Sequence, residues 1–128
     1  MLLDTCFLID LQRELGGGRP AGAAEFLRQH SGETPWISLV TWTEFAEGYG
    51  DEREDACRLF LSRFHLIPPD LEIAWDASRL LRSLRGRGAA IGDHDVWIAA
   101  TARMRGLPLV TRNRGHFRRV PGLSLLPY

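Results

Sequence analysis

Four positions in this sequence carry oxygen side chains suited to a hard cation: Asp4, Glu44, Asp95 and Asn113. Each acid also has an ordinary use. Asp4 follows two leucines and can cap the segment after it, Glu44 can close a capping box Thr41-x-x-Glu44, and an acid ahead of a helix complements its dipole. Brought together, they need another explanation. Two carboxylates about 4 Å apart repel by roughly 4 kcal/mol at an effective dielectric near 20. Three in one pocket either take up protons or hold a cation. An all-oxygen set of Asp, Glu and Asn suits Mg²⁺ or Mn²⁺ and not zinc. Such an ion could activate water and stabilise charge developing on a phosphate. Whether the set holds one ion or two is left open by the residues.

The element best placed to organise these groups begins at Gly92-Asp93-His94-Asp95 and continues through Val96 to Arg105, apolar on nearly every side. A helix apolar all round belongs between other elements, and Gly106-Leu107-Pro108 ends it. Met1–Asp4 reads as a buried strand. Helices are expected over Thr5–Leu15, Pro20–His30, Glu52–Phe64 and Asp70–Leu84. The helix reaching Tyr49 starts after either Ser38 or Thr41. Further strands are expected within Trp36–Val40, at His65–Ile67, at Pro108–Val110 and at Leu123–Leu125, with a turn or short helix at Asn113–Phe117. Short apolar strands alternating with helices indicate an α/β sandwich with a mainly parallel sheet. Ligands in such sheets bind at the carboxyl ends of the strands, the edge that Asp4, Asp95 and Thr111–Asn113 can share.

The composition fits that picture. With 128 residues, 45% apolar and 25% charged, the chain is expected to form one domain with a sizeable core. No apolar run has the length of a membrane span, and the start lacks the pattern of a signal peptide. Cys6 and Cys57 match no disulfide framework, so reduced thiols in the cytoplasm are expected. Net charge is zero, yet all sixteen basic residues are Arg, and Asp93 and Asp95 are the only acids after Asp76. An Arg-rich half facing an acidic cluster is what a phosphodiester substrate and a metal site require. Arg112 and Arg114, flanking Asn113, are the leading candidates for phosphate contacts. The four Trp are assigned to packing, and His94 and His116 to structural or solvent-exposed roles.

Leu3-Asp4-Thr5, Thr41-x-x-Glu44, Asp95-x-x-Ile98-Ala99-Ala100 and Leu109-Val110-Thr111-Arg112-Asn113 resemble, in order and spacing, the four motifs of a PIN domain. The stretch from Asp95 to Leu123 is especially similar to VapC-type toxins of bacterial toxin–antitoxin pairs. That resemblance implies a three-layer sandwich with a five-stranded sheet. It also implies an Mg²⁺- or Mn²⁺-dependent endoribonuclease that is usually a homodimer and is silenced by a cognate antitoxin. Asp4, Glu44 and Asp95 match the metal-holding acids, Asn113 matches a fourth position that is an acid or Asn, and Thr5 and Thr111 match supporting positions. Asp93 stays a cap or outer support, since residues two apart do not share a helix face. Cys6 departs from the more usual Ser or Asn. The alternatives are a PIN-fold nuclease of RNA processing and a metal-free RNA- or protein-binding module. A phospho-accepting receiver domain is excluded, because it would need a Lys and the chain has none.

Overall fold

The computed structural model describes residues 1–128. Five strands, β1 (Leu2–Leu3), β2 (Trp36–Ser38), β3 (His65–Ile67), β4 (Leu109–Val110) and β5 (Leu125–Leu126), form one sheet in the order β3-β2-β1-β4-β5. All four pairings are parallel, with Leu2 opposite both Trp36 and Leu109. Seven helices cover the two faces: α1 (Thr5–Leu15), α2 (Ala23–Gln29), α3 (Leu39–Ala46), α4 (Glu54–Leu61), α5 (Leu71–Gly86), α6 (Asp93–Met104) and α7 (Arg114–Phe117). This is the expected three-layer α/β sandwich.

Strand alternation divides the core in two. Leu2 and Leu109 point into one cluster with Ile73, Leu80, Leu84, Val96, Ile98 and Phe117, while Leu3, Ile37 and Val110 point into another with Phe7, Leu8, Phe45 and Phe60. Each such side chain taken wholly from water contributes about 1.5–3 kcal/mol. The helix α6 is buried along Val96 and Ile98 to Ala102, as its apolar circumference predicted. It closes on Gly106 at φ +60°, whose N–H reaches Arg103 O while Leu107 N reaches Ala102 O. This paired closure needs a left-handed residue, which Gly adopts without a Cβ clash.

Several boundaries differ from expectation. The helix α2 starts at Ala23, not Pro20, because Gly22 takes φ +96°. Its first amides are then capped from another element, since the Glu14 carboxylate accepts from Ala21 N, from Ala23 N at 3.1 Å and from Ala24 N at 2.8 Å. The expected single helix from Glu52 becomes a tight 3₁₀ turn at Asp51–Arg53 ahead of α4, with Arg53 N bonded to Gly50 O. The last strand lies two residues beyond its expected start, because pairing Leu109 with Leu125 leaves Leu123 in the turn after Gly122. Ser38, not Thr41, caps α3 by accepting from Thr41 N at 2.9 Å. Asp93 is not a cap either: Gly92 is the N-cap residue, and the exposed Asp93 carboxylate faces Arg85 at 3.4 Å.

Candidate active site

The Ser38 cap decides what Glu44 does. With α3 opening at Leu39, the box between Thr41 and Glu44 does not form, and Glu44 lies in the second turn with its carboxylate free to cross to other elements. One oxygen accepts from Thr5 Oγ1, and the other lies 2.9 Å from His94 Nδ1. Thr5 directly follows Asp4, so a single peptide unit links the two acids.

Asp4 ends β1 and caps α1, its Oδ1 accepting from Thr5 N at 2.8 Å. Its Oδ2 accepts from Thr111 Oγ1 at 2.6 Å and from Cys6 Sγ at 3.1 Å. With only 4% of its surface exposed, Asp4 is held above the usual carboxylate range by burial. The charge of Asp95 adds to that rise, while the bonds from Thr111, Cys6 and Thr5 oppose it. The Cys6 thiol is raised too, by burial and then by the Asp4 charge, so it stays a neutral donor.

Asp95 lies in the first turn of α6, over the same sheet edge, and its Oδ2 is 2.8 Å from His116 Nδ1. The same imidazole nitrogen lies 3.1 Å from the Asn113 side-chain amide. Asn113 N donates to Thr111 Oγ1 at 2.9 Å, so one hydroxyl ties the exit of β4 to the exit of β1. Glu44, Gly92, Asp93, His94 and Asp95 line an open recess at this edge.

Asp4, Glu44, Asp95, Asn113, Thr5 and Thr111 are thus linked into one network at the carboxyl ends of β1 and β4. Asp93 lies on its rim and turns away toward Arg85. The sequence missed His94 and His116 as members, and their only advance signal was position: one sits between two acids, the other three residues after Asn113. Arg112 is engaged elsewhere. Its guanidinium pairs with Asp10 at 3.0 Å, bonds Ala21 O and lies over the Tyr128 ring at 4.9 Å. Arg114 makes no side-chain hydrogen bond or ion pair within the chain. The Trp assignments hold unevenly: Trp36 and Trp97 pack on the core, whereas Trp75 is 62% exposed on α5.

The donor chemistry of Asp4, Glu44, Asp95 and Asn113 fits a hard divalent cation, since these side chains offer oxygen ligands only. No three His, Cys, Asp or Glu side chains are drawn together closely enough to form a metal-binding group as they stand; His94 and His116 hold oxygens of Glu44 and Asp95.

Residues 1–123 match the family described as PIN domain. "Ribonuclease VapC1" of Methanocaldococcus jannaschii is 33% identical over 129 residues, covering 100% of this chain and 86% of that protein. Among solved structures, VapBC2 of Rickettsia felis bound to a DNA fragment from its promoter superposes with a TM-score of 0.85 at 25% identity, over 99% of this chain and 97% of the other. A toxin–antitoxin complex from Klebsiella pneumoniae is 32% identical with a TM-score of 0.71, over 96% and 94% of the two chains.

Proposed function

The chain belongs to the PIN-domain family, among its VapC ribonucleases, and from that premise we propose that it is the endoribonuclease toxin of a toxin–antitoxin pair. Asp4, Glu44 and Asp95 hold a divalent cation, Mg²⁺ or Mn²⁺, with Asn113 beside them. The observation that carries this reading is the hydrogen-bonded network that ties three acids, from β1, α3 and α6, to one sheet edge through Thr5, Thr111, Asn113 and His116.

When bound, such a cation lowers the pKa of water and neutralises charge on a phosphate. The chain's own groups do the positioning. Thr111 and Cys6 aim Asp4, Thr5 aims Glu44, and Asn113 holds the turn that carries His116. His94 and His116 each hold one carboxylate oxygen, of Glu44 and of Asp95. Arg114 is the free cation nearest this edge in sequence and contacts a phosphate of the RNA.

The Klebsiella complex and the VapBC2 assembly support a cognate antitoxin as partner, and membership in the family supports a homodimer. No helix is long and apolar enough to cross a membrane, and both cysteines are free thiols, which supports a cytoplasmic setting. The test is cleavage of a structured RNA with Mg²⁺, Mn²⁺ or EDTA, beside the Asp95→Asn variant. Cleavage that needs both cation and Asp95 is the expected result. An Asp95→Asn protein that cuts as fast as the parent would overturn the assignment.

A further inference from the structure

The recess at the sheet edge, lined by Glu44, Gly92, Asp93, His94 and Asp95, borders an arginine-rich surface. That surface lies where the loop after α5 meets the exit of α7, and carries Arg85, Arg87, Arg114, Arg118 and Arg119, all exposed. Asp93 is the one acid facing them, 3.4 Å from Arg85.

Two of these arginines are pinned. Arg87 Nη2 donates to Arg119 O at 3.4 Å and its Nε to Ser83 O at 3.3 Å, while Arg119 Nη1 donates to Ala90 O at 3.1 Å. The two guanidiniums thereby stitch the 87–92 loop, which leads into Gly92 and the recess, to the exit of α7. Bonds this long and exposed contribute little to stability. They do restrict side chains that would otherwise be free, so less entropy is lost when a ligand orders them. Each guanidinium keeps further N–H donors for a planar anion such as a phosphate diester.

We propose that this seam, Arg87 and Arg119 flanked by Arg85 and Arg118, is the track along which the RNA backbone leaves the cleavage site. The inference rests on the ribonuclease reading and adds a direction to it: the strand departs over the end of α5 and the exit of α7. Two phosphates contact the pinned pair, and Arg118, which has no partner inside the chain, serves a neighbouring one.

The test is binding of a single-stranded RNA by fluorescence anisotropy across a KCl series, without divalent cation. For single strands each phosphate contact contributes about 0.7 to the slope of log K against log salt. Arg87→Ala/Arg119→Ala is therefore expected to flatten the slope by about 1.4, and Arg87→Lys/Arg119→Lys to retain most of it, which separates charge from any effect on the loop. Arg28→Ala/Arg63→Ala, removing equal charge from α2 and the end of α4, is expected to leave the slope near the parent's. A seam variant with the parent's slope, or a remote variant that loses as much, overturns the track. Failure of the parent to cleave RNA with Mg²⁺ or Mn²⁺ would instead strike the ribonuclease reading, a separate outcome read in a separate assay.

Discussion

Thr111 is 107 residues from Asp4 in the sequence and 2.6 Å from it in space, its hydroxyl donating to Asp4 Oδ2 while accepting the N–H of Asn113. One side chain therefore orients an acid of β1 and fixes the turn that carries Asn113 and His116. Outer partners of metal-holding carboxylates are typically worth 10–100-fold in metal affinity or activity. Thr111→Val is expected to weaken Mn²⁺ binding by at least about tenfold in calorimetry, whereas Thr111→Ser holds it near the parent value. Equal affinity in the Val variant would remove Thr111 from the site.

Asp4 sets a pH dependence whose sign follows from its raised titration. The protonated form is the one the buried edge favours, so its stabilising contribution is complete below the ordinary value of 3.8 and disappears as pH rises through the higher folded value. Asp4→Asn keeps a capping oxygen for α1 and carries no charge. In EDTA the variant is expected to melt at or above the parent's temperature at pH 7, with the gap closing toward pH 4, and to show no RNA cleavage with Mg²⁺. A parent that gains on the variant as pH rises would show the opposite sign.

Glu14 behaves in the contrary way. Burial opposes its charge, but the amides of Ala24, Ala21, Ala23 and Gly22 outweigh that and hold the carboxyl below its ordinary value of 4.5. Its contribution is thus present above that value and lost as pH falls through the depressed folded value. Glu14→Gln is expected to cost about 1 kcal/mol near neutrality, as the loss of a helix cap does, with parent and variant converging in acid. Urea unfolding at pH 7 and pH 3 measures both.

Asp76 is the buried acid outside the site. Only 4% of it is exposed, Oδ1 lies 3.3 Å from Arg103 Nη2, and Oδ2 has no hydrogen-bond partner. Removing one member of a buried pair strands the other, typically at 3–5 kcal/mol. Arg103→Ala is expected near the low end, about 3 kcal/mol in urea unfolding, because the Arg103 side chain is partly exposed. Adding Asp76→Leu to it should recover most of that loss, and no recovery would mean that Arg103 acts through packing alone.

The layers, the parallel sheet and the placement of Asp4 and Asp95 were legible because each rests on local pattern: a strand run ending in acid, and an apolar helix opening on one. Glu44 was ambiguous for a physical reason. Ser38 and Thr41 are both competent caps, and the choice between them is made by β2, which runs to Ser38 in register with Ile67. His94 and His116 gave only a positional signal, since the acids they hold, Glu44 and Asp95, lie 50 and 21 residues away. Arg112 has the charge of a phosphate ligand, and only the fold reveals that Asp10 and Tyr128 already hold it.

The sheet order also governs when the protein can become active as it is made. β1 is the first strand to leave the ribosome, yet it lies at the centre of the sheet, between β2 and β4. Its β4 neighbour is synthesised about a hundred residues later, and long-range pairings of this kind close late in folding. Until they close, Asp4 has neither Thr111 beside it nor Asp95 across from it. A partly synthesised chain therefore has no assembled site edge before the last strands are in place.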